Sequence, residues 1–161
     1  PDGNEIVVNA TTANDQQVPG VAPLGGDRVI VVWESSGQDG SGTGVYGRIV
    51  GMDGTFLTGE FRVNSYAPQD QGVPAVASNA DGKFVVIWQS AFQDGDGLGI
   101  YYQRYDASGT PIGLETRPHL QTANDQAQPG IAAQGTHFLP VWASFGQDGS
   151  GWGIFARRQD W

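Results

Sequence analysis

Short apolar runs alternate with glycine-rich turns along the whole chain. Residues 84–88 (Phe-Val-Val-Ile-Trp) are apolar at every position, and residues 29–33 (Val-Ile-Val-Val-Trp) have the same character. Continuous apolar runs of this length, bounded by turn residues, are typical of strands buried on both faces. The pattern around the first of these runs predicts a four-stranded antiparallel meander, with strands at residues 75–78, 83–90, 100–105 and 113–118.

This pattern recurs three times with a strict period. Asp15, Asp70 and Asp125 are separated by 70 − 15 = 55 and 125 − 70 = 55 residues, and a proline follows each of them four residues later. The tryptophans that close the apolar runs keep this register, the third copy being one residue shorter: Trp33, Trp88 and Trp142. We therefore expect one repeat domain over residues 1–161, with copies at about 1–53, 54–108 and 109–161.

The sizes of the side chains within a copy predict how the copies pack. The first strands carry small residues, at 20–22, 75–77 and 130–132, whereas the second strands carry large ones. Small residues suit a position near an axis where several sheets converge, and large residues suit the wider space further out. We therefore predict an all-β fold in which three four-stranded antiparallel repeats form β-propeller blades. The alternative is a β-trefoil, whose barrel strands would each show one inward and one outward face.

Three blades are fewer than the four to eight of a closed propeller. Residues 5–9 match residues 60–64, the outer strand of a copy, and the last copy ends after its third strand. We therefore expect a half ring that a second copy completes as a six-bladed homodimer, or a fragment of a longer chain.

Composition and charge argue against several kinds of function. The chain has no cysteine, which excludes disulfides and thiolate chemistry, and its net charge of −9 disfavours nucleic acid as a partner. No apolar run approaches the roughly 18 residues of a membrane span, so we expect no membrane insertion. His119 and His137 occupy unrelated positions in their copies, and no hydrolase or nucleotide-binding motif is present. We therefore expect no enzymatic activity.

Acidic, glycine-rich loops recur between the second and third strands of each copy. In a meander these loops lie at the same end of the sheet as the segments that lead into the first strands, and we call this end the rim. Calcium needs six to eight oxygen ligands, and Asp and Ser side chains in such loops supply part of that shell. The candidate metal ligands are Asp39, Ser41, Asp94, Asp96, Asp148 and Ser150. The alternative is that these side chains only cap tight turns through backbone hydrogen bonds.

The same loops carry candidates for ligand binding. Trp152 occupies a position where the other copies have threonine and leucine, so it is the candidate for stacking on a sugar or a peptide. The other candidates are the glutamines that precede the loop aspartates: Gln38, Gln93 and Gln147. By contrast, we expect the aspartates of the 55-residue register to satisfy turn N–H groups, and the three repeat tryptophans to pack in the core.

The amino-acid sequence of the repeat resembles a known class of bacterial repeats. The residues that carry the resemblance are 60–64 (Glu-Phe-Arg-Val-Asn), 70–74, 84–90, 93–95 (Gln-Asp-Gly) and 99–109. They resemble the tandem repeats of very large bacterial surface and secreted proteins that often also carry haemolysin-type calcium-binding repeats. The resemblance covers essentially the whole chain, and it implies secretion, an adhesion or matrix role and a calcium-rich setting.

These observations predict a secreted, non-enzymatic binding or adhesion module, assisted by calcium and directed at a glycan or another cell-surface ligand. Two alternatives stay open, a purely structural spacer and a hydrolase that uses the rim carboxylates. The third copy departs from the pattern at Pro140, which removes a ladder donor from its second strand. We therefore expect that blade either to be distorted or to lie at a boundary.

Overall fold

The described part of the chain folds entirely into strands and turns. A computed structural model describes residues 3–161, so Pro1 and Asp2 of the predicted first copy lie outside the described residues. Within that range there is no helix with the length and apolar character that crossing a membrane requires. The strands are β1 (Gln16–Gly25), β2 (Arg28–Ser36), β3 (Thr43–Gly51), β4 (Phe61–Arg62), β5 (Gln71–Ser78), β6 (Phe84–Ala91), β7 (Leu98–Tyr105), β8 (Pro111–Thr116), β9 (Gln126–Gln134), β10 (His137–Phe145), β11 (Trp152–Ala156) and β12 (Gln159–Asp160).

Each repeat forms its own antiparallel sheet. The strand orders β1-β2-β3-β4 and β5-β6-β7-β8 are the predicted meanders, and β9 to β12 form a third sheet around β10. No strand of one sheet pairs with a strand of another within residues 3–161. We call these sheets blades 1, 2 and 3 in chain order. The arrangement confirms the prediction of an all-β fold built from propeller blades, and it does not match the β-trefoil alternative.

The first strand of each blade is longer than the sequence pattern predicts. In blade 2 the strand was expected at residues 75–78, but β5 already begins at Gln71. It passes through a bulge, where Val73 has a φ of 51° and the register with β6 shifts between Gly72 and Ala75. The proline at position 74 and the bulge conceal the start of the strand, since both are read as signals of a turn.

The blades pack face to face through their second and third strands. Each blade has a leading face, which carries the repeat tryptophan, and a trailing face on the opposite side of the sheet. The leading face of blade 2 packs on the trailing face of blade 1, with Phe84 and Trp88 fully buried against Val32 and Val45. The leading face of blade 3 packs in the same way on the trailing face of blade 2 through Phe138, Trp142, Val85, Ile87, Ile100 and Tyr102. Both faces of the second strand in blade 2 are therefore buried, as its uninterrupted apolar sequence predicts.

The small residues of the first strands lie where the blades approach each other most closely. A Cβ atom at Gly20 would lie 3.1 Å from a methyl carbon of Val32 and 3.6 Å from the carbonyl oxygen of Pro74 in the next blade. A larger side chain at this position would push blade 2 away from blade 1. The prediction of small residues on an inner strand is therefore explained by contact between neighbouring first strands.

Blade 3 is distorted at the predicted position. Its third strand is split into β11 and β12, which pair with different parts of β10. Leu139 and Pro140 lie opposite the break, and the Arg157 amide still donates to the Pro140 carbonyl at 3.2 Å. Because proline has no N–H group, the returning ladder bond is absent and the strand is interrupted at this point.

Within residues 3–161, two blade faces are not covered by another blade. On the trailing face of blade 3, Ile154 is 79% exposed and Leu139 is 42% exposed. On the leading face of blade 1, residues 6–9 lie against Val31 and Trp33 beside a cavity of 340 Å³. The chain is thus an open run of three blades with an apolar face at each end. Its expected completion as a homodimer stays a prediction at this point.

We expect Phe84→Ala to lower the free energy of unfolding by about 3 to 5 kcal/mol, because the phenylalanine is fully buried between blades 1 and 2. Its ring also stacks on Tyr105 with centroids 4.8 Å apart. Urea denaturation followed by tryptophan fluorescence measures the loss. The control is Leu114→Ala on the outer strand of the same blade, where the side chain is 85% exposed and the change should stay within about 0.5 kcal/mol. Equal losses in the two variants would contradict the packing of the blades.

Candidate functional site

At the rim, the loop between the second and third strands of blades 1 and 2 lies against the segment that leads into the next blade. We call the loops between the second and third strands the rim loops, and they cover residues 37–42, 92–97 and 146–151. Asp70 accepts hydrogen bonds from the Thr43 amide (2.9 Å) and hydroxyl (3.0 Å), and Asp125 accepts one from the Leu98 amide (2.9 Å). The aspartates that precede β5 and β9 therefore fix the rim loop of the preceding blade, which is the scaffold role the sequence predicts for them.

In the first rim loop, the candidate residues bond to the protein itself. The Gln38 amide donates to the Glu60 carboxylate, and Asp39 accepts the Ser41 amide at 3.2 Å. The Ser41 hydroxyl in turn accepts the amide of Gln69 at 3.0 Å, from the segment that leads into blade 2. These contacts hold the loop closed against blade 2 and use the atoms that the sequence analysis assigns to a ligand.

The second rim loop repeats this arrangement with different residues. The Gln93 amide donates to Glu115 at 2.5 Å, and Asp96 accepts the Asn124 amide at 2.9 Å. Asp96 therefore takes the place of Ser41 as the acceptor for the segment leading into the next blade. The glutamines of the first two loops have the same partner, a glutamate on the outer side of their own blade.

Asp94 is an enclosed acidic side chain of the rim. Its side chain is fully buried, and neither carboxylate oxygen accepts a hydrogen bond from residues 3–161. Arg117 lies 3.6 Å from it and the His119 ring 3.8 Å, while a Cβ atom at Gly99 would come within 2.7 Å of the carboxylate. Burial, followed by the field of Asp94, raises the pKa of Tyr101 to about 12. The Asp94 carboxylate thus lies against Gly99 of β7 and faces the guanidinium group of Arg117.

His119 occupies the position that asparagine holds in the first repeat junction. Its Nε2 accepts the Ile100 amide at 2.9 Å and its Nδ1 lies 2.5 Å from the carbonyl oxygen of Gln121, so the neutral ring with a proton on Nδ1 satisfies both contacts. Burial lowers the pKa of His119, and this effect outweighs the opposing field of Asp94. The histidine is therefore a neutral structural link between blade 2 and the segment that follows it.

The third rim loop differs because no blade within residues 3–161 covers it. Gln147, Asp148 and Ser150 are exposed, and the loop retains the internal bond from the Ser150 amide to Asp148 at 3.3 Å. Trp152 is 54% exposed, and its ring packs edge-on against Phe145 with centroids 5.4 Å apart. Of the predicted ligand-binding residues, Gln147 and Trp152 are thus the ones that the described structure leaves open to solvent.

A cleft of 480 Å³ lies beside Trp152 at the junction of blades 2 and 3. Trp152 and Ile154 supply its apolar wall, and Asp125, Gln89 and Gln128 supply polar groups. Asp125 uses one oxygen for the Leu98 amide, and its other oxygen accepts no hydrogen bond from residues 3–161. The cleft therefore combines an exposed aromatic ring with carboxylate and amide groups.

The repeat tryptophans are core residues, as predicted. Trp33, Trp88 and Trp142 are 4%, 0% and 4% exposed, respectively. They are therefore unsuited to stacking on an external ligand.

The sequence did not allow us to predict two contacts between blades, which lie near the inner strands. Glu34 accepts the Val73 amide at 2.5 Å, and Gln89 accepts the Gln128 amide at 3.2 Å. Both amides belong to bulge residues with positive φ, of 51° and 54°, so a side chain of the preceding blade stabilises each bulge. The available signal was a polar residue directly after the tryptophan at the end of an otherwise apolar strand.

Comparison with known proteins bears on the fold. No protein-family model matches the chain, and no curated protein matches it in sequence. Among solved structures, the chain is similar to an endo-arabinase from Bacteroides thetaiotaomicron, with 14% identity and a TM-score of 0.56 over 91% of this chain. It is also similar to a GH43 endo-arabinanase from Bacillus licheniformis, with 16% identity and a TM-score of 0.53 over 89% of this chain. The chain has a β-propeller-type fold.

The likeness extends over part of those enzymes only. The chain covers 57% of the Bacteroides protein and 51% of the Bacillus protein, so it spans about half the length of the structures it matches. Within residues 3–161, no three His, Asp or Glu side chains gather in a group that could hold a metal ion. In each rim loop, the carboxylate of one aspartate lies over a glycine of the third strand. In blade 2, the charged group next to this carboxylate is the guanidinium of Arg117. Calcium binding by the rim loops therefore stays a prediction.

We expect His119→Asn to reduce the loss of stability in mild acid. The native His119 has a lowered pKa, so below its ordinary value of 6.5 the unfolded chain takes up a proton that the folded chain refuses. Stability therefore falls as the pH drops from 6.5 towards the folded pKa, and asparagine, which Asn64 shows to fit this position, removes that part of the loss. Urea denaturation at about pH 7.5 and about pH 5.5 measures the difference.

The native protein and the variant differ only at residue 119, so every other group contributes equally to both. An unchanged pH dependence in the asparagine variant would contradict the assignment of His119 as a buried neutral ring.

Proposed function

We propose that this chain is a non-enzymatic binding module of a secreted or surface protein and that it binds carbohydrate in the cleft beside Trp152. The observation that carries the proposal is the half-exposed indole ring of Trp152, which Phe145 holds edge-on at 5.4 Å. Ligand pockets are lined mainly by apolar and aromatic side chains, together with a few polar groups that fix the orientation of the ligand. Both kinds of group line this cleft.

The chemistry of the cleft suits a sugar. One face of a pyranose or furanose ring carries C–H groups that stack on an aromatic ring, and its hydroxyl groups need carboxylate and amide partners. Trp152 supplies the ring, and Asp125, Gln89 and Gln128 supply the polar partners. The opening of 480 Å³ accommodates a short oligosaccharide, since small-molecule sites commonly span a few hundred Å³.

Two further observations support this class of ligand. The solved structures that share the fold are named as an endo-arabinase and an endo-arabinanase, and these names support a carbohydrate as the ligand. The resemblance of the repeat to those of large bacterial surface proteins supports a secreted location. A non-enzymatic role is supported by the rim carboxylates, because Asp70 and Asp125 are used as caps and Asp94 faces Arg117.

We expect Trp152→Ala to weaken binding to the recognised polysaccharide about tenfold, because contact with an aromatic ring contributes roughly 0.5 to 1.5 kcal/mol beyond the burial of its area. Affinity electrophoresis against a panel that includes arabinan, cellulose derivatives and mannan identifies the ligand, and calorimetry measures the change. The matched control is Phe92→Ala, which removes a 60% exposed aromatic ring from the second rim loop.

Retention of full affinity by Trp152→Ala, or an equal loss in Phe92→Ala, would contradict the placement of the site. Binding to none of the polysaccharides would favour the purely structural spacer. Release of reducing ends from a bound polysaccharide by the native protein would overturn the non-enzymatic proposal and favour the hydrolase alternative.

Calcium binding is proposed for the third rim loop, where Asp148 and Ser150 are exposed and no further blade engages them. Chelator-stripped protein should then melt at a higher temperature in millimolar calcium, because a ligand that binds only the folded state raises the midpoint. Asp148→Asn should abolish the rise, whereas Asp39→Asn should preserve it, since the second carboxylate oxygen of Asp39 already accepts the Asn64 side-chain amide at 3.4 Å. No rise in the native protein would leave all three loops as turn caps.

A further inference from the structure

Asp125 is held in one orientation in the cleft beside Trp152. One of its carboxylate oxygens accepts the Leu98 amide at 2.9 Å. This oxygen lies so close to Gly97 that a Cβ atom at the glycine would collide with it, so the carboxylate occupies space that the glycine leaves free. The other oxygen accepts no hydrogen bond from residues 3–161. Asp125 therefore presents one free acceptor whose position is fixed by the cap on Leu98.

Gln89 complements this acceptor with a donor. Its side-chain oxygen accepts the Gln128 amide at 3.2 Å, which leaves the side-chain NH2 group of Gln89 without a partner among residues 3–161. Gln89 and Asp125 both line the cleft. A sugar hydroxyl both donates and accepts a hydrogen bond, so the hydroxyl groups of one sugar ring are suited to this pair of side chains.

The apolar wall of the cleft depends on Ala143. This residue directly follows the repeat tryptophan of blade 3, at the position where blades 1 and 2 carry Glu34 and Gln89. Ala143, Trp152 and Ile154 all line the cleft. A glutamine at position 143 would add a polar side chain to this wall and narrow the opening. The small alanine therefore leaves an apolar surface for the C–H groups of a sugar ring.

The charge of the cleft is negative. Within residues 3–161, Asp125 is the one charged side chain that lines it, and none of the eight lysine and arginine residues of the chain does so. A carboxylate or sulfate group on a sugar would therefore find no cation in the cleft and would be repelled by Asp125. The net charge of −9 adds a weaker repulsion, which physiological salt screens beyond roughly 8 Å.

We propose that the cleft selects neutral sugars over acidic ones and that Asp125 is the residue that determines this specificity. The free oxygen of Asp125 accepts a hydroxyl proton from a neutral ring and repels a negatively charged substituent. This inference rests on the proposed carbohydrate function and adds the class of sugar to it. The ligand is then a polysaccharide whose rings carry free hydroxyl groups and no charge.

Affinity electrophoresis with polymers of different charge tests the selection. The neutral probes are arabinan, hydroxyethyl cellulose and mannan, and the acidic probes are carboxymethyl cellulose and polygalacturonate. A chelator is present throughout, so that calcium does not bridge the carboxylates of a polymer to those of the protein. We expect one of the neutral polymers to bind, and the acidic polymers to bind roughly tenfold more weakly at physiological ionic strength.

Asp125→Asn tests the residue itself, and Asp70→Asn is the matched control. Asparagine at position 125 keeps an oxygen for the Leu98 amide and turns its NH2 group towards the cleft, because the reverse orientation would leave that amide uncapped. We expect the affinity for the neutral polymer to fall about tenfold and the preference over acidic polymers to disappear. Asp70→Asn makes the same change at the cap on Thr43, outside the cleft, and should alter neither affinity.

Two further measurements separate specificity from folding. Both asparagine variants should melt within roughly 2 °C of the native protein, because each retains the oxygen of its cap. Ala143→Gln introduces the residue that blade 2 carries at this position, so it should preserve the fold. By narrowing the cleft, it should weaken the binding of neutral and acidic polymers alike, whereas Asp125→Asn changes the preference between them.

A native protein that binds an acidic polymer more tightly than every neutral one would overturn the proposal. If Trp152→Ala weakened that binding, the sugar site itself would stand. An unchanged preference in Asp125→Asn, or an equal change in Asp70→Asn, would also remove Asp125 as the specificity-determining residue. Binding to none of the polymers would instead contradict the proposed carbohydrate function, so the two failures are distinguishable.

Discussion

The structure depends on one repeated interaction, in which the segment that leads into a blade fixes the rim loop of the blade before it. An aspartate carboxylate accepts the first amide of the third strand, as Asp70 does for Thr43 and Asp125 does for Leu98. Without this bond, the amide at the start of the third strand would be left unpaired at the junction of two sheets. The bond therefore determines where each third strand begins and how closely the next blade approaches.

The glycines of the rim follow from the same constraint. Asp39, Asp94 and Asp148 lie directly over Gly44, Gly99 and Gly153, where an added Cβ atom would come within 2.9, 2.7 and 2.5 Å of a carboxylate oxygen, respectively. Because glycine has no side chain, the third strand leaves room at this position for the aspartate carboxyl group beneath the rim. In blade 2 that group is fully buried, and the nearby guanidinium of Arg117 offsets part of the cost of removing a charge from water.

The features that depend on side-chain size and periodicity could be predicted from the sequence. The uninterrupted apolar run at residues 84–88 correctly predicted a strand buried on both faces, and Pro140 correctly predicted a distorted blade. The contacts between blades could not be predicted, because they join residues that are far apart along the chain. Gln93 and Glu115 are 22 positions apart and both are ordinary polar residues when considered singly. The bulge at Val73 was also hidden, since a valine with positive φ has no local sequence signal.

In this chain, a polar residue that recurs in every copy indicates a contact between blades and not a ligand site. The residues that recur in every copy, such as the loop aspartates and the aspartates of the 55-residue register, are those that every junction between blades needs. A ligand site, by contrast, has to differ from the junctions, because a residue engaged by the next blade is unavailable to a solute. The third copy supplies such differences where threonine and leucine are replaced by Trp152 and where the acceptor side chain is replaced by Ala143. Function in this propeller run is therefore best sought where the repeat is broken, and the repeat itself is best understood as the device that holds the blades together.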